Sequence, residues 1–308
     1  MQSSFLNPLV IIWFINTTLQ FSTPLVLAAL GGMFSERSGV VNIGLEGMML
    51  MGAFMAVVGT WFSGNPWIGL LSAMVSGGIL GLIHGLISVQ LRGNQIVSGA
   101  GIILFASGFT SFMVYGIWGI RGITPSVTQL PRVTLPWLGK ISPLIVLMFL
   151  MLPISWYVLY RTPFGLRLRA AGEDPSALDT AGVNVQTTRL IGVFLSGVLA
   201  ALGGAHLSIG FGSRFVELMT GGRGFIALAA LIFGNWNPLG VVLSGLFFGF
   251  LSSLQGSIDV LPEFSYLAPY VQFIAMIPYI SVIVALGIIR RSIPPKSIGV
   301  PYIKEREG

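Results

Sequence analysis

The chain has 308 residues, 54% of them hydrophobic and only 8% charged, with a formal charge of +6 and no cysteine. Soluble domains average about 25% charged residues, so this inventory excludes a water-facing surface, and the missing cysteines exclude disulfides, thiol chemistry and cysteine-ligated metals. The cationic surplus is small and lies in loops, which speaks for membrane topology and anionic headgroups rather than nucleic acid.

An all-α polytopic membrane bundle is expected. The chain's 41 glycines and its prolines are spread through apolar runs, and no ten-residue alternating strands appear, which disfavours a barrel. Nine apolar segments follow one another, at about 9–31, 41–60, 66–90, 95–119, 141–160, 187–210, 221–235, 238–257 and 268–289, and the count allows eight to ten spans. Residues 1–8 lack a basic n-region, so the first segment reads as a span that stays in place.

Glu36 and Arg37 mark a membrane boundary, and Ser38-Gly39 restart the chain. Asn42 and Glu46 are four apart, hence on one helical face. A carboxylate one or two turns into a span is costly and usually faces a bundle interior or a wet cavity. Asn42 and Glu46 therefore read either as lining of a route through the bundle or as an interfacial pair.

Gly77, Gly81 and Gly85 make small-xxx-small steps, as do Gly245 and Gly249, and both stripes read as close helix packing. His84 and His206 lie inside apolar runs and read as interhelical hydrogen-bonding groups. Residues 120–140, with three prolines and three cations, form the main external loop, either a rigid cap or a surface for a delivering protein.

The stretch 161–189 is the one long polar interruption. Pro163 opens a short helix, which Gly172 would end in the left-handed conformation. Asp174 then caps a second, with Pro175 at its first position and Gly182 closing it. Arg167 and Arg169 decorate the first helix, and Glu173, Asp174 and Asp179 give the second an acidic start. Two capped helices between spans make a knob suited to being gripped by a soluble partner, where a mere connector would need only a few polar residues.

Further on, the segments 221–235 and 238–257 are short or tightly turned about Asn235-Trp236-Asn237-Pro238. Broken segments occur in membranes where backbone is shielded by protein or lines a cavity. Asn235 and Asn237 are lining candidates, with Trp236 and Phe225 able to stack on a base or sugar.

With the 161–189 knob cytosolic, Arg37, Arg92, Arg161, Arg167, Arg169, Arg189, Arg290, Arg291, Lys296, Lys304 and Arg306 fall inside, eleven of the sixteen Lys and Arg residues. Arg121, Arg132, Lys140, Arg214 and Arg223 fall outside. The bias favours a cytosolic knob and a cytosolic tail at 290–308.

The run S-E-R-S-G-V-V-N-I-G-L-E-G-M-M-L-M-G-A-F resembles the N-terminal signature of ABC importer permeases for nucleosides, within the superfamily of simple-sugar and branched-chain amino acid permeases. The run G-L-R-L-R-A-A-G-E-D-P-S-A-L-D-T-A-G-V-N-V is similar to that family's cytoplasmic coupling loop, and G-G-R-G-F-I-A-L-A-A-L-I-F-G-N-W-N-P-L-G to its third recurring block. The resemblance covers nearly the whole chain in the right order. It implies a single permease domain over 1–308 of the type II importer kind, in the plasma (inner) membrane. It also implies an ABC ATP-binding subunit, a second homologous permease forming a heterodimer, and an extracytoplasmic substrate-binding protein. No cofactor is then expected on this chain, since ATP and Mg would belong to the ATPase. In the coupling loop, Arg167, Gly172, Glu173, Asp174, Pro175, Ala181 and Gly182 match the family's pattern. The implied cargo is a nucleoside, with simple sugars and riboflavin as alternatives.

Rival classes leave less support. A phosphate loop needs G-K-[ST], and of the three lysines only Lys140 follows a glycine, with Ile141 after it. A serine–histidine enzyme would have to pair Ser107, Ser196 or Ser208 with His84 or His206, in no recognisable nucleophile motif, and Asp259 and Glu263 fall in an external loop. An ion-coupled carrier usually keeps charged relays in mid-membrane, where only Glu46 is a candidate.

Overall fold

A computed structural model describes residues 8–135, 139–258, 269–288 and 292–303. Among the described residues, six helices are long and apolar enough to cross a membrane: Val10–Arg37, Leu45–Ser63, Pro66–Gln90, Gln95–Trp118, Pro143–Arg161 and Val185–Phe211. Three shorter apolar helices, Arg223–Phe233, Pro238–Leu254 and Val271–Val284, complete the set. All nine fall on the nine apolar segments of the sequence. The chain is an all-α, multi-pass membrane protein. Asp259, Glu263, Arg290, Arg291, Lys304 and Arg306 lie outside the described residues.

Helix α1 (Pro8–Arg37) is the hub, packed by α5 (Pro143–Arg161), α8 (Val185–Ala205), α9 (Arg223–Phe233) and α10 (Pro238–Ile258). From Ser22 to Glu36 every residue of α1 is buried, the pattern of a helix surrounded by other helices. Helix α2 (Leu45–Ser63) fills the second central position against α3 (Pro66–Gly85), α4 (Gln95–Trp118) and α8. Helices α11 (Val271–Ala275) and α12 (Ile277–Ile288) pack on α10.

Both glycine stripes lie at close approaches between helices. A Cβ on Gly77 would meet Gly197 O and Ala201 Cβ, and one on Gly81 would lie 2.7 Å from Val193 O, so α3 and α8 touch backbone to backbone. Gly85 faces Leu190 in the same seam. Gly245 packs on Val26 and Gly249 on Ser22, seating α10 against α1.

Both histidines stitch helices together. Pro24 lies inside α1 and has no N–H, so the carbonyl four residues back, that of Gln20, lacks its helical donor. His206 Nε2 supplies it across the helix pair at 3.1 Å. His84 bridges α3 to the α1–α2 turn through Val41 O (2.9 Å) and to α4 through Ser98 Oγ (2.9 Å). Of the serines weighed as nucleophiles, Ser107 bonds its own helix, Ser196 accepts from Asn42, and Ser208 bonds Ala205 O.

On the face opposite the knob, residues 122–130 lie along 209–217. Thr124 N donates to Phe215 O (3.0 Å), Val127 N to Ser213 O (2.7 Å) and Leu130 N to Ile209 O (2.9 Å). The same loop carries a small antiparallel ladder, β1 (Val133–Leu135) with β2 (Gly139–Ile141). Sequence reasoning foresaw no strands here. The loop satisfies its backbone by pairing with the chain beside it.

Candidate functional site

The broken segment is the centre of the site. Residues 212–222 run as irregular chain from the capped face, with Leu218, Gly221 and Gly222 all at positive φ. Helix α9 starts only at Arg223 and ends at Phe233. Eleven residues rise about 16 Å, roughly half of a bilayer's hydrocarbon core. Its C-terminal end lies beside Glu36 and Arg37, so its N-terminus lies well inside the bundle.

A helix beginning inside a membrane exposes N–H groups that lipid cannot satisfy. Glu46, on the first turn of α2, meets that need. Its Oε1 accepts from Gly222 N (2.8 Å) and its Oε2 from Gly224 N (2.6 Å). The negative carboxylate at the positive end of α9 is favourable twice over, by hydrogen bonding and by the helix dipole. Gly224 allows the approach, since a Cβ there would be 2.5 Å from the Glu46 backbone. Arg223 turns back onto Met219 O (2.9 Å) and Thr220 O (3.1 Å), and Tyr279 of α12 donates to Gly221 O (2.7 Å). The Lys and Arg count places Arg223 on the outer side, at the start of the apolar segment 221–235. It is part-buried, with its guanidinium 6.0 Å from the Phe21 ring of α1.

Beside this junction is a cavity of about 280 Å³, bordered by Glu46, Ser107, Leu218, Thr220, Gly222 and Phe225. Glu46 and Phe225, both expected on a route through the bundle, border the same space. Ser107, Leu218 and Thr220 gave no signal in the sequence beyond their place in or beside an apolar run.

The other route candidates lie elsewhere. Asn42 precedes α2, in the turn rather than on the helix, so the shared face with Glu46 does not form. It is fully buried and donates to Ser196 Oγ (2.9 Å). Trp236 is also buried, with its indole N–H on Glu36 Oε2 (2.6 Å) and its carbonyl accepting from Arg37 Nε (3.0 Å). Asn237 caps α10 by accepting from Leu239 N (3.0 Å), and Asn235, at positive φ, accepts from Ile293 N (2.8 Å). These three belong to the α9–α10 turn on the knob side.

The knob has the two helices foreseen, α6 (Pro163–Glu173) and α7 (Pro175–Thr180). Thr162 caps α6 by accepting from Gly165 N (3.1 Å), and Asp174 caps α7 by accepting from Ala177 N (3.0 Å) and Ser176 Oγ (2.6 Å). Those bonds hold the Asp174 carboxyl below its ordinary range. Gly182 follows α7 in the left-handed conformation, φ +77°. Gly172 departs from expectation. It lies within α6 at ordinary φ, and its missing side chain lets the helix press on Arg37 O and Gly39 N. Arg169 stacks on Tyr160 at 5.0 Å, while Arg167, Glu173, Asp174, Ala181 and Gly182 stay exposed and Pro175 half-buried.

The family model for branched-chain amino acid transport system / permease component matches residues 14–277. Among known proteins, NupQ of Bacillus subtilis (strain 168), a guanosine ABC transporter permease protein, is 43% identical over 94% of this chain and 96% of its own. NupC of Lactococcus lactis subsp. cremoris (strain MG1363), a nucleoside ABC transporter permease protein, is 37% identical over 94% of this chain and 96% of its own. TsgC13 of Haloferax volcanii, provisionally named a glucose ABC transporter permease protein, is 38% identical over 78% of this chain and 76% of its own.

Proposed function

The chain belongs to the family of branched-chain amino acid transport system permease components, and from that premise we propose that it is the membrane-spanning subunit of an ATP-driven nucleoside importer. The observation that carries the cargo is the near full-length match to the guanosine permease, with the nucleoside permease beside it. The relative named for glucose is of comparable similarity over a shorter stretch, which keeps a sugar as the second reading. Both readings share a ribose- or hexose-like polar ring, which suits a small cavity holding Ser107, Thr220 and an aromatic face at Phe225.

The energy would come from outside the chain. The exposed turn of α6–α7 offers a rigid surface to a separate ATP-binding subunit on the cytosolic side, where ATP and Mg would bind to that partner. A second permease and an extracytoplasmic binding protein complete the assembly. Closure of the ATPases would move the knob and rock the bundle between outward- and inward-open states.

Uptake of labelled guanosine into vesicles holding the permease pair, the ATPase and the binding protein tests this. Uptake should require ATP, be competed by other nucleosides and not by glucose, and persist when ionophores collapse ion gradients. Uptake that survives without the ATPase but stops with ionophore would instead identify an ion-coupled carrier.

A further inference from the structure

The segment 292–303 returns to the knob side and is tied there at four places. Ile293 N donates to Asn235 Oδ1 in the α9–α10 turn (2.8 Å). Ser297 N donates to Gly172 O of α6 (2.8 Å), and Gly299 N to Gly39 O of the α1–α2 turn (3.0 Å). The fourth tie is Arg189, the fifth residue of α8. Its Nη1 donates to Val300 O (2.8 Å) and its Nη2 to Ala171 O of α6 (3.0 Å). Tyr302 then packs on the small cluster of Ala171, Leu178 and Val185 that joins α6, α7 and α8.

Arg189 is only 1% exposed. A buried guanidinium is expensive unless its donors are satisfied. Here the two terminal nitrogens are divided between the knob and the tail, while the buried Nε has no partner among the described residues, so losing either carbonyl would leave the guanidinium still less satisfied. Gly39, at φ +95°, leaves the room for it, since a Cβ there would be 2.8 Å from Nη2.

We infer that residues 292–303, pinned by Arg189, are a strut that makes the knob and the α9–α10 turn one mechanical unit. This rests on the importer reading and adds to it a route for the force. Motion of α6 would reach Asn235 through Ser297, Val300 and Ile293. From there it would pass along α9, as a short rigid rod, to Gly222 and Gly224 on Glu46. Arg189 is then a positioning residue, since it touches neither cargo nor nucleotide.

The test uses the complete transporter and measures cargo moved per ATP hydrolysed. Arg189→Lys keeps the charge but not the two-pronged reach, and Asn235→Gly removes the acceptor while tolerating the positive φ. Arg189→Lys loses at least one hydrogen bond from a buried charge, so uptake per ATP should fall about tenfold with hydrolysis sustained, and Asn235→Gly, whose bond to Ile293 N is exposed, should lower it by less. An unchanged ratio in both variants overturns the strut. Because the chain has no cysteine of its own, Ile293→Cys with Asn235→Cys can be joined by a short cross-linker, even where the other variants fail to assemble. Joined chains should still transport, because a strut keeps these residues together throughout the cycle. Transport that stops on joining shows that the contact must break, which also overturns it. If the unaltered complex shows no ATP-dependent uptake, the importer reading itself fails and the strut falls with it.

Discussion

Glu46 offers the sharpest perturbation. Its carboxylate holds Gly222 N at 2.8 Å and Gly224 N at 2.6 Å, and it is 7% exposed. Hydrogen bonds to a charged group contribute about 1.5 to 3 kcal/mol each, and the helix dipole adds about 0.3 to 1 kcal/mol. Glu46→Gln keeps the shape but turns one oxygen into a donor facing a donor. It should cost about 2 to 4 kcal/mol, one bond plus the charge. Glu46→Ala leaves both N–H groups without their acceptor, about 1 to 3 kcal/mol each, at the lower end if water from the adjoining cavity reaches them. Where the bonds exist in one transport state only, a loss of about 2 kcal/mol shifts the balance between states roughly 30-fold. Permease in the membrane, quantified by immunoblot, should stay within about twofold for Gln, while uptake per permease drops by about tenfold or more. Normal uptake by Glu46→Gln would refute the capping argument. Parallel losses of uptake and of inserted protein would make Glu46 a purely structural residue.

Asp174→Arg should leave the permease assembled but lower ATP-dependent uptake, because a cation replaces the carboxylate that caps α7 on the exposed knob; undiminished uptake by the reconstituted complex would contradict this. The Asp174 carboxyl lies below its ordinary value of 3.8 in the folded chain, so its cap is in place above that value and is lost as pH falls through the lowered one; chemical-shift titration of a labelled Asp174 should show the midpoint below 3.8. Gly172→Ala should lower the thermal unfolding midpoint, since the new methyl must displace Arg37 O at a cost of about 1 to 3 kcal/mol. Gly182→Ala meets no atom within 4 Å and should lose only about 1 kcal/mol for its positive φ, so the midpoint should drop less. Gly81→Leu should open the α3–α8 seam and give aggregated material on size-exclusion chromatography, where a monodisperse peak would argue against backbone contact.

What could be read from the sequence was what depends on local chemistry. Among the described residues every one of the nine apolar runs is helical, because a bilayer admits little else for backbone of that composition. The knob was legible for the same reason. Threonine, aspartate, proline and glycine each act within three or four residues, so the Asp174 cap and the Gly182 turn follow from neighbours alone. The two glycine stripes announced close packing by their spacing, although not the helices they would meet.

Only the tertiary structure decided which distant groups share one need. Asn42 looked like a partner of Glu46 while the helix was assumed to run through both, but α2 starts at Leu45 and sends them to different neighbours. Gly172 has the sequence context of a left-handed cap and serves instead as a close contact with α1. Glu46 finds its donors 176 and 178 residues away, and Arg189 finds Val300 at a separation of 111. No local pattern encodes such pairings. A buried charge is satisfied by whatever backbone the folded chain brings to it, and that is settled only when the helices have packed.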